Sequence, residues 1–183
     1  MATAHRSRVE LQRRAAERQV KRIQALRDDF AKLTAVSDKQ ERGYAFERFL
    51  NDLFHACDFD YRSSYKVGVE QIDGAFRHAG RDFLVEARWR ELPPSASDLL
   101  TFAMKVEGKL QGTLGLVITM VPPRPEVLEH VVKHTRSVLI MDGRDLALAL
   151  EGRITLQEAL EFKRQRAAQE GVLFASLAQP QAA

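Results

Sequence analysis

The sequence predicts an α/β protein in which a mixed central sheet is flanked by helices, and three features of the chain predict it. Apolar residues recur at helical spacing along two successive segments near the start of the chain, roughly 8–34 and 38–57. Three short segments with strand-like alternation follow, at about 59–67, 69–77 and 82–90. Further on, apolar runs typical of buried strands alternate with helical segments. Antiparallel strands followed by such crossovers require a mixed sheet with helices packed against it.

The first helical segment is long, basic and only half amphipathic. Residues 1–36 carry nine Lys/Arg against four Asp/Glu, a net charge of +5, although the whole chain carries only +3. Its second half has an apolar seam at heptad-like spacing, formed by Ile23, Leu26, Phe30 and Leu33. We therefore predict a basic helical arm over 1–36 that packs either on its own body or on a partner chain. Its charge either contacts nucleic-acid phosphates or forms an ordinary solvated helix surface.

The remaining residues are predicted to form one domain over 37–174 and a disordered tail over 175–183. "SDKQ" at 37–40 is a capping-box pattern that opens the second helix. The apolar stripe of that helix consists of Phe46, Leu50, Leu53, Phe54 and Cys57. The later elements are predicted as a helix at 96–110, a strand at 112–121, a helix at 124–134, a strand at 137–143, and helices at 144–150 and 155–169.

Composition excludes several classes of protein. A chain of 183 residues with 45% hydrophobic and 29% charged residues is typical of one ordinary globular domain. The longest apolar stretch, 114–121, is too short to span a bilayer, so no membrane segment is expected. The N-terminal residues have no apolar core of a secretory signal, and the single cysteine, Cys57, excludes an internal disulfide framework. A cytoplasmic location is the expectation.

The segment "EQIDGAFRHAGRDFLVEARW", residues 70–89, is predicted to form a β-hairpin. If it turns at Ala79 and Gly80, partners across the hairpin are residues whose numbers sum to 159, which places Asp73 opposite Glu86. Alternation then predicts a core face made of Ile72, Phe76, Phe83, Val85, Ala87 and Trp89, and a second face made of Gln71, Asp73, Ala75, Asp82, Leu84, Glu86 and Arg88. A turn of three or five residues would shift the register by one and separate the two acids.

Two carboxylates placed opposite each other, roughly 5 Å apart at Cβ, repel one another unless positive charge lies nearby. Two sources of that charge stay open on spacing alone. Arg88 lies on the diagonal from Asp73 and would give a salt-bridged strand surface. Alternatively, a bound divalent cation lies between the acids.

The order and spacing of these motifs resemble the PD-(D/E)xK nuclease superfamily, and within it the Mrr-type restriction endonuclease branch. The resemblance is carried by "GYAFERFLNDLF" (43–54) as the first core helix, "EQIDGAF" (70–76) with the acid, and "LVEARW" (84–89) with the E-x-K position. "GTLGLVITM" (112–120) and "SVLIMDGRDLALALEGRITLQEAL" (137–160) resemble its later strands and helices. The resemblance covers about 40–174 and leaves the basic arm outside.

The resemblance implies a restriction-endonuclease-like fold and an Mg²⁺-dependent endodeoxyribonuclease, with Mn²⁺ as a possible replacement. Asp73 and Glu86 would match the motif's acids and bind the metal, and Glu47 would match a glutamate that some relatives place on the first helix. Gln71 would belong to the same site. Double-stranded DNA is the implied partner. A homodimer is also expected, and the N-terminal helix either assembles that dimer or contacts DNA. Prokaryotic defence against foreign DNA is one role that it implies, and repair and toxicity stay open.

One residue departs from the family's pattern, since Arg88 occupies the position where lysine is usual. Arginine stays protonated and is unsuited to act as a base, although it stabilises negative charge. Either Arg88 acts electrostatically in an active nuclease, or another lysine, such as Lys66 or Lys105, substitutes for it. The alternative function is a catalytically degenerate module that binds nucleic acid or a protein partner without cutting.

Overall fold

The computed structural model describes residues 2–178, which contain six helices and one five-stranded sheet. The helices are α1 (Ala2–Leu33), α2 (Lys39–Ala56), α3 (Ala96–Glu107), α4 (Pro125–Val131), α5 (Gly143–Leu150) and α6 (Leu156–Glu170). The strands are β1 (Tyr61–Val67), β2 (Glu70–His78), β3 (Arg81–Arg88), β4 (Leu114–Thr119) and β5 (Val138–Met141). Within the described residues, no helix is both long and apolar enough to cross a lipid bilayer.

The strands lie in the order β1-β2-β3-β4-β5, so each strand neighbours the next one in the chain. The first three pair antiparallel, and β3, β4 and β5 pair parallel. The two parallel connections contain α3 and α4, which are the crossover helices that parallel neighbours require. The predicted α/β class, the mixed sheet and the order of elements are confirmed.

The turn between β2 and β3 has two residues, as predicted. His78 pairs with Arg81, and the residues between them, Ala79 and Gly80, have φ angles of 47° and 74°. Positive φ at both central residues is the conformation of a type I′ turn, whose twist matches that of the flanking strands. The pairs from Gly74–Val85 to His78–Arg81 all follow the predicted register.

Replacing Ala79 with asparagine is expected to stabilise the protein by roughly 0.5–1 kcal/mol. Alanine at positive φ is strained, whereas asparagine tolerates the left-handed conformation and is preferred at this turn position. The measurement is the free energy of unfolding in urea. Ala79→Val should destabilise, because a β-branched residue fits this conformation poorly. If the asparagine variant is no more stable than wild type, Ala79 is not strained at its positive φ.

Two apolar layers cover the sheet. The helices α1, α2, α5 and α6 pack on one face, where they meet Phe76, Phe83 and Val85, with Ala87 and Trp89 at the margin. The helices α3 and α4 pack on the other face, in a cluster that contains Leu84, Val117 and Ile140.

The prediction that Ile72 joins Phe76 in one core layer is wrong, because Ile72 lies in the cluster covered by α3. Its pairing explains the difference. The ladder between β2 and β3 ends at Gly74, whereas β1 and β2 stay paired down to Glu70. Beyond Gly74 the two strands form a ribbon of their own, and such ribbons twist more strongly than wider sheets.

The second half of α1 packs on the body of its own chain. Leu26 and Leu33 are buried in the larger cluster, with Ile23 and Phe30 packed against it. The Phe30 ring lies 5.2 Å from that of Phe49 in α2. This is one of the two alternatives that the apolar seam left open; the dimer stays a prediction.

Both ends of the predicted domain differ slightly from expectation. The N-cap of α2 is Asp38, which accepts from the backbone N–H of Glu41 at 2.7 Å, one residue after the serine of the predicted pattern. At the other end, structure extends past 174, because Ala175 is buried and its carbonyl accepts from Lys163 Nζ at 2.6 Å. Residues 179–183 of the predicted tail lie outside the described residues.

Candidate functional site

Asp73 lies where β2 and β3 separate. The last ladder pair is Gly74–Val85, and beyond it the carboxylate of Asp73 accepts the backbone N–H of Ala87 at 3.0 Å. The side chain thus replaces the main-chain partner that β3 loses. Gly74 is required beside it, because a Cβ there would lie 1.9 Å from the hydroxyl oxygen of Tyr61. Strand separation therefore leaves Asp73 half-buried and held at one oxygen.

Glu86 lies on β3 and is engaged by two cations. Its Oε1 accepts from Arg88 Nη2 at 2.7 Å, and its Oε2 lies 3.6 Å from Lys105 Nζ. The side chains of Glu86 and Arg88 are only 13% and 12% exposed. Charges this far removed from water need partners, so the two ion pairs hold the Glu86 side chain in place.

Arg88 joins β3 to α3. Besides Glu86, its guanidinium contacts the carboxylate of Asp98. Asp98 also accepts from the backbone N–H and hydroxyl of Ser95, at 2.9 and 2.8 Å, in the capping box of α3. Burial opposes ionisation of Asp98, but the Ser95 hydrogen bonds and Arg88 outweigh it and hold its pKa at about 2. Arg88 is therefore clamped between the carboxylates of Glu86 and Asp98, and not against Asp73.

Sequence reasoning missed Asp98 as a partner of Arg88. The signal was present as the pattern S-x-x-D at 95–98, which predicts a helix cap. Nothing in that pattern says which strand the cap faces.

Lys105 enters the site from α3. Its Nζ donates to the backbone carbonyl of Gln71 at 3.2 Å and lies beside Glu86. Lys66, the other candidate, lies on β1, where it pairs with Gln71 of β2; it is exposed and, within the described residues, forms no ion pair with the acids. The side chain of Gln71 is itself exposed, so its observed link to the site is through its backbone. Of the two lysines, the fold brings Lys105 to Glu86.

Glu47 lies on α2 and reaches Asp73 from that helix, whereas Lys105 reaches Glu86 from α3. A cleft of about 440 Å³ is lined by Glu47, Asp73, Tyr44, Arg48, Asn51, Asp52, Ser63 and Ser64. Burial and then the charge of Asp73 raise the pKa of Glu47, which Arg48 partly offsets and Glu86 increases. Burial likewise raises the pKa of Asp73, with a further contribution from Glu86, against the opposing effect of the Ala87 N–H. Three carboxylates therefore raise the electrostatic energy of one small region.

The donor set of this region suits a hard divalent cation. Mg²⁺ prefers oxygen ligands and is bound through one or two carboxylates, several waters and substrate phosphates. Within residues 2–178, no three His, Cys, Asp or Glu side chains are already arranged to hold a metal ion. Asp73 has one oxygen held by Ala87, and Glu86 is turned towards Arg88 and Lys105. The acids fit the cation chemically, and Glu86 would exchange ion-pair contacts for metal contact.

Comparison with known proteins places few limits on this chain. No family model matches it, and no curated protein matches it. Among solved structures, it is similar to the MspJI restriction endonuclease in complex with a 27-mer oligonucleotide, with a TM-score of 0.45 and 15% sequence identity. The similarity covers 80% of this chain but only 37% of that one. A likeness this distant says nothing of the activity of this chain.

Proposed function

We propose that this protein is a metal-dependent nuclease that hydrolyses phosphodiester bonds in double-stranded DNA. One observation carries the proposal: Asp73 and Glu86 lie together where β2 and β3 separate, with Lys105 beside Glu86. The proposal includes a restriction-endonuclease-like fold of the Mrr-type branch. It also includes a cytoplasmic location and a homodimer. The resemblance of the motifs supports the assignment to this branch.

Each residue has a distinct task in this proposal. Asp73, Glu86 and Glu47 would hold Mg²⁺ or Mn²⁺. When bound, the metal supplies Lewis acidity, which polarises the phosphoryl group and lowers the pKa of an attacking water. Arg88 positions Glu86 through the clamp to Asp98 and contributes fixed positive charge.

Lys105 is the better candidate for the role that lysine has in the resembling motif. Its compact ammonium carries three donors on a flexible stem, so it can orient a water and exchange a proton, which arginine does not do. It lies 3.6 Å from Glu86, whereas both ends of the Arg88 guanidinium are occupied by carboxylates. The proposal therefore assigns Lys105 to water orientation and Arg88 to positioning.

The test of the proposed function is nicking of supercoiled plasmid by purified protein in Mg²⁺ or Mn²⁺, with EDTA as the control. Cutting should require the metal and appear on unmodified or modified DNA. No cutting on any of several substrates would remove the nuclease proposal.

Replacing Lys105 with glutamine is expected to slow cutting about a hundredfold, a typical loss for one group that orients or deprotonates a nucleophile. Duplex binding in EDTA should change little, which separates a chemical role from a binding role. Lys66→Gln is the matched control and should cut like wild type. Arg88→Lys should not speed cutting, and an increase would return the lysine's role to position 88.

A second candidate function is a degenerate module that binds without cutting. The ion pairs of Glu86 favour it, since Arg88 and Lys105 already neutralise the acid without metal. In that case millimolar Mg²⁺ would not raise the melting temperature of the protein, whereas the nuclease proposal expects a rise that grows with metal concentration.

A further inference from the structure

We infer that a second cleft, beside the proposed site, binds a backbone phosphate of the nucleic-acid strand. This phosphate neighbours the scissile phosphate on the same strand. This inference rests on the proposed function for the identity of the strand, while the phosphate chemistry follows from the cleft itself. The cleft has a volume of about 490 Å³, and Glu86 and Arg88 form part of its wall, so it adjoins the carboxylate cluster. Its remaining charged lining is Lys39, Arg42, Arg90 and Glu91.

Arg42 is the central observation, because it is a buried cation with few partners. It is 9% exposed, and its Nε is buried without a hydrogen-bond partner. The polar contacts of its other two nitrogens are long: Nη1 lies 3.4 Å from the carbonyl of Val36, and Nη2 lies 3.8 Å from Glu91. Glu91 is 72% exposed, so the pairing is weak, and the ring of Trp89 lies 6.0 Å away. A guanidinium with five donors is thus left largely unused in a place where desolvation is costly.

The cleft around Arg42 is positively charged. Four cationic side chains line it, from Lys39, Arg42, Arg88 and Arg90, against two carboxylates, from Glu86 and Glu91. Arg88 is already paired with Glu86 and Asp98. Lys39, in contrast, is exposed, and Arg90 is 59% exposed with one contact of 3.4 Å to Asp98. An anion entering here would meet three cations from two elements, α2 and the segment after β3.

Phosphate is the anion that this arrangement fits. Arginine donates in a planar fork that matches two phosphate oxygens, and lysine adds a point charge. The cleft shares Glu86 with the proposed catalytic cluster, so a strand whose scissile phosphate lies at the cluster would pass its neighbouring phosphate along this wall. The cleft would then position the strand and contribute affinity without reading its bases.

Gly43 offers a way to block the cleft without changing its charge. It lies on α2 in the cleft wall, and a Cβ at this position meets no atom within 4 Å. A larger side chain would therefore extend into open space rather than into the core. Leucine is also a better helix former than glycine, so Gly43→Leu should fold at least as well as wild type.

The test measures affinity for a duplex of about 20 base pairs in EDTA, as a function of salt. Gly43→Leu and the double variant Lys39→Gln/Arg90→Gln are both expected to bind roughly tenfold more weakly than wild type. The double variant should also reduce the slope of log K against log salt by about one, the signature of one lost phosphate contact. Arg153→Gln is the control for charge, since Arg153 is 72% exposed and lies outside the cleft. Gly43→Leu binding like wild type, or Arg153→Gln losing as much as the double variant, would overturn the cleft.

A second arm separates the sources of phosphate. Millimolar inorganic phosphate should raise the melting temperature of wild type but not of Gly43→Leu, and should compete with the duplex. Stabilisation by phosphate with no duplex binding would overturn the assignment to a nucleic-acid strand.

Nicking assays on the same variants distinguish this inference from the proposed function. If the protein binds duplex in a way that depends on the cleft but never cuts, the phosphate-binding cleft is supported and the nuclease proposal is wrong. If Gly43→Leu cuts in the presence of metal and binds duplex just as wild type does, the nuclease proposal is supported and the phosphate-binding cleft is overturned.

Discussion

Asp73→Asn is expected to lose metal-dependent cutting by roughly a thousandfold. Asparagine preserves the shape and an oxygen that accepts the Ala87 N–H, so the end of the β2–β3 ladder should persist. It removes the negative charge that would hold the cation, and metal ions contribute several kcal/mol to transition states of this kind. The measurement is the rate of plasmid nicking at saturating Mg²⁺. Asp82→Asn, an exposed acid on the neighbouring strand β3, is the matched control and should cut like wild type.

The same variant is expected to be more stable than wild type in EDTA at pH 7, by about 1 kcal/mol, the usual size of such relief. Burial raises the pKa of Asp73 above its ordinary 3.8, so the folded state holds the proton more tightly than the unfolded state. The wild type therefore loses stability as pH rises from about 4 through the raised pKa, and the variant escapes this loss. The difference should shrink as pH falls towards 4. A less stable variant without cutting would show only that the fold was damaged.

Breaking the buried pair of Lys163 and Asp145 is expected to cost about 3–5 kcal/mol. Lys163 Nζ lies 2.6 Å from Asp145 Oδ2, and the two side chains are 1% and 0% exposed. Asp145 also accepts the backbone N–H of Leu177 at 2.9 Å, while Lys163 donates to the carbonyl of Ala175. Lys163→Met would leave an uncompensated carboxylate and release the segment after α6. The measurement is the free energy of unfolding in urea.

An exposed pair on the same helix provides the comparison. Arg166 lies 2.5 Å from Glu170 and is 44% exposed, so Arg166→Gln should cost less than about 0.5 kcal/mol. A cost below about 1 kcal/mol for Lys163→Met would contradict the assigned role of the buried pair.

Much of the fold was predictable because local chemistry and tertiary structure agree. The Ala79-Gly80 turn allows one register for the hairpin, and that register is the observed one down to Gly74. The apolar stripe of α2 indicated its buried face, since helical spacing brings Phe46, Leu50 and Leu53 to one side. Both predictions needed only contacts between residues close in sequence.

The site was predictable only where it depends on that register. Asp73 and Glu86 were paired from the hairpin, although the ladder itself ends one pair earlier. Asp98 and Lys105 reach the site from a helix whose position depends on crossover geometry, so spacing offered no direct signal for Asp98 and left Lys105 as one of two candidate lysines. The side taken by Ile72 depended on where two strands part, which alternation does not encode.

By itself, the sequence determined the order of elements, the mixed sheet, the hairpin register and the acids that share one end of it. These follow from turn chemistry and apolar periodicity, which act over a few residues. The tertiary structure alone decided that Asp98 clamps Arg88, that Lys105 meets Glu86, and that Arg42 is buried beside them with unused donors. Charged side chains carry no periodic signal of their partners, and those partners are chosen only when separate elements pack together.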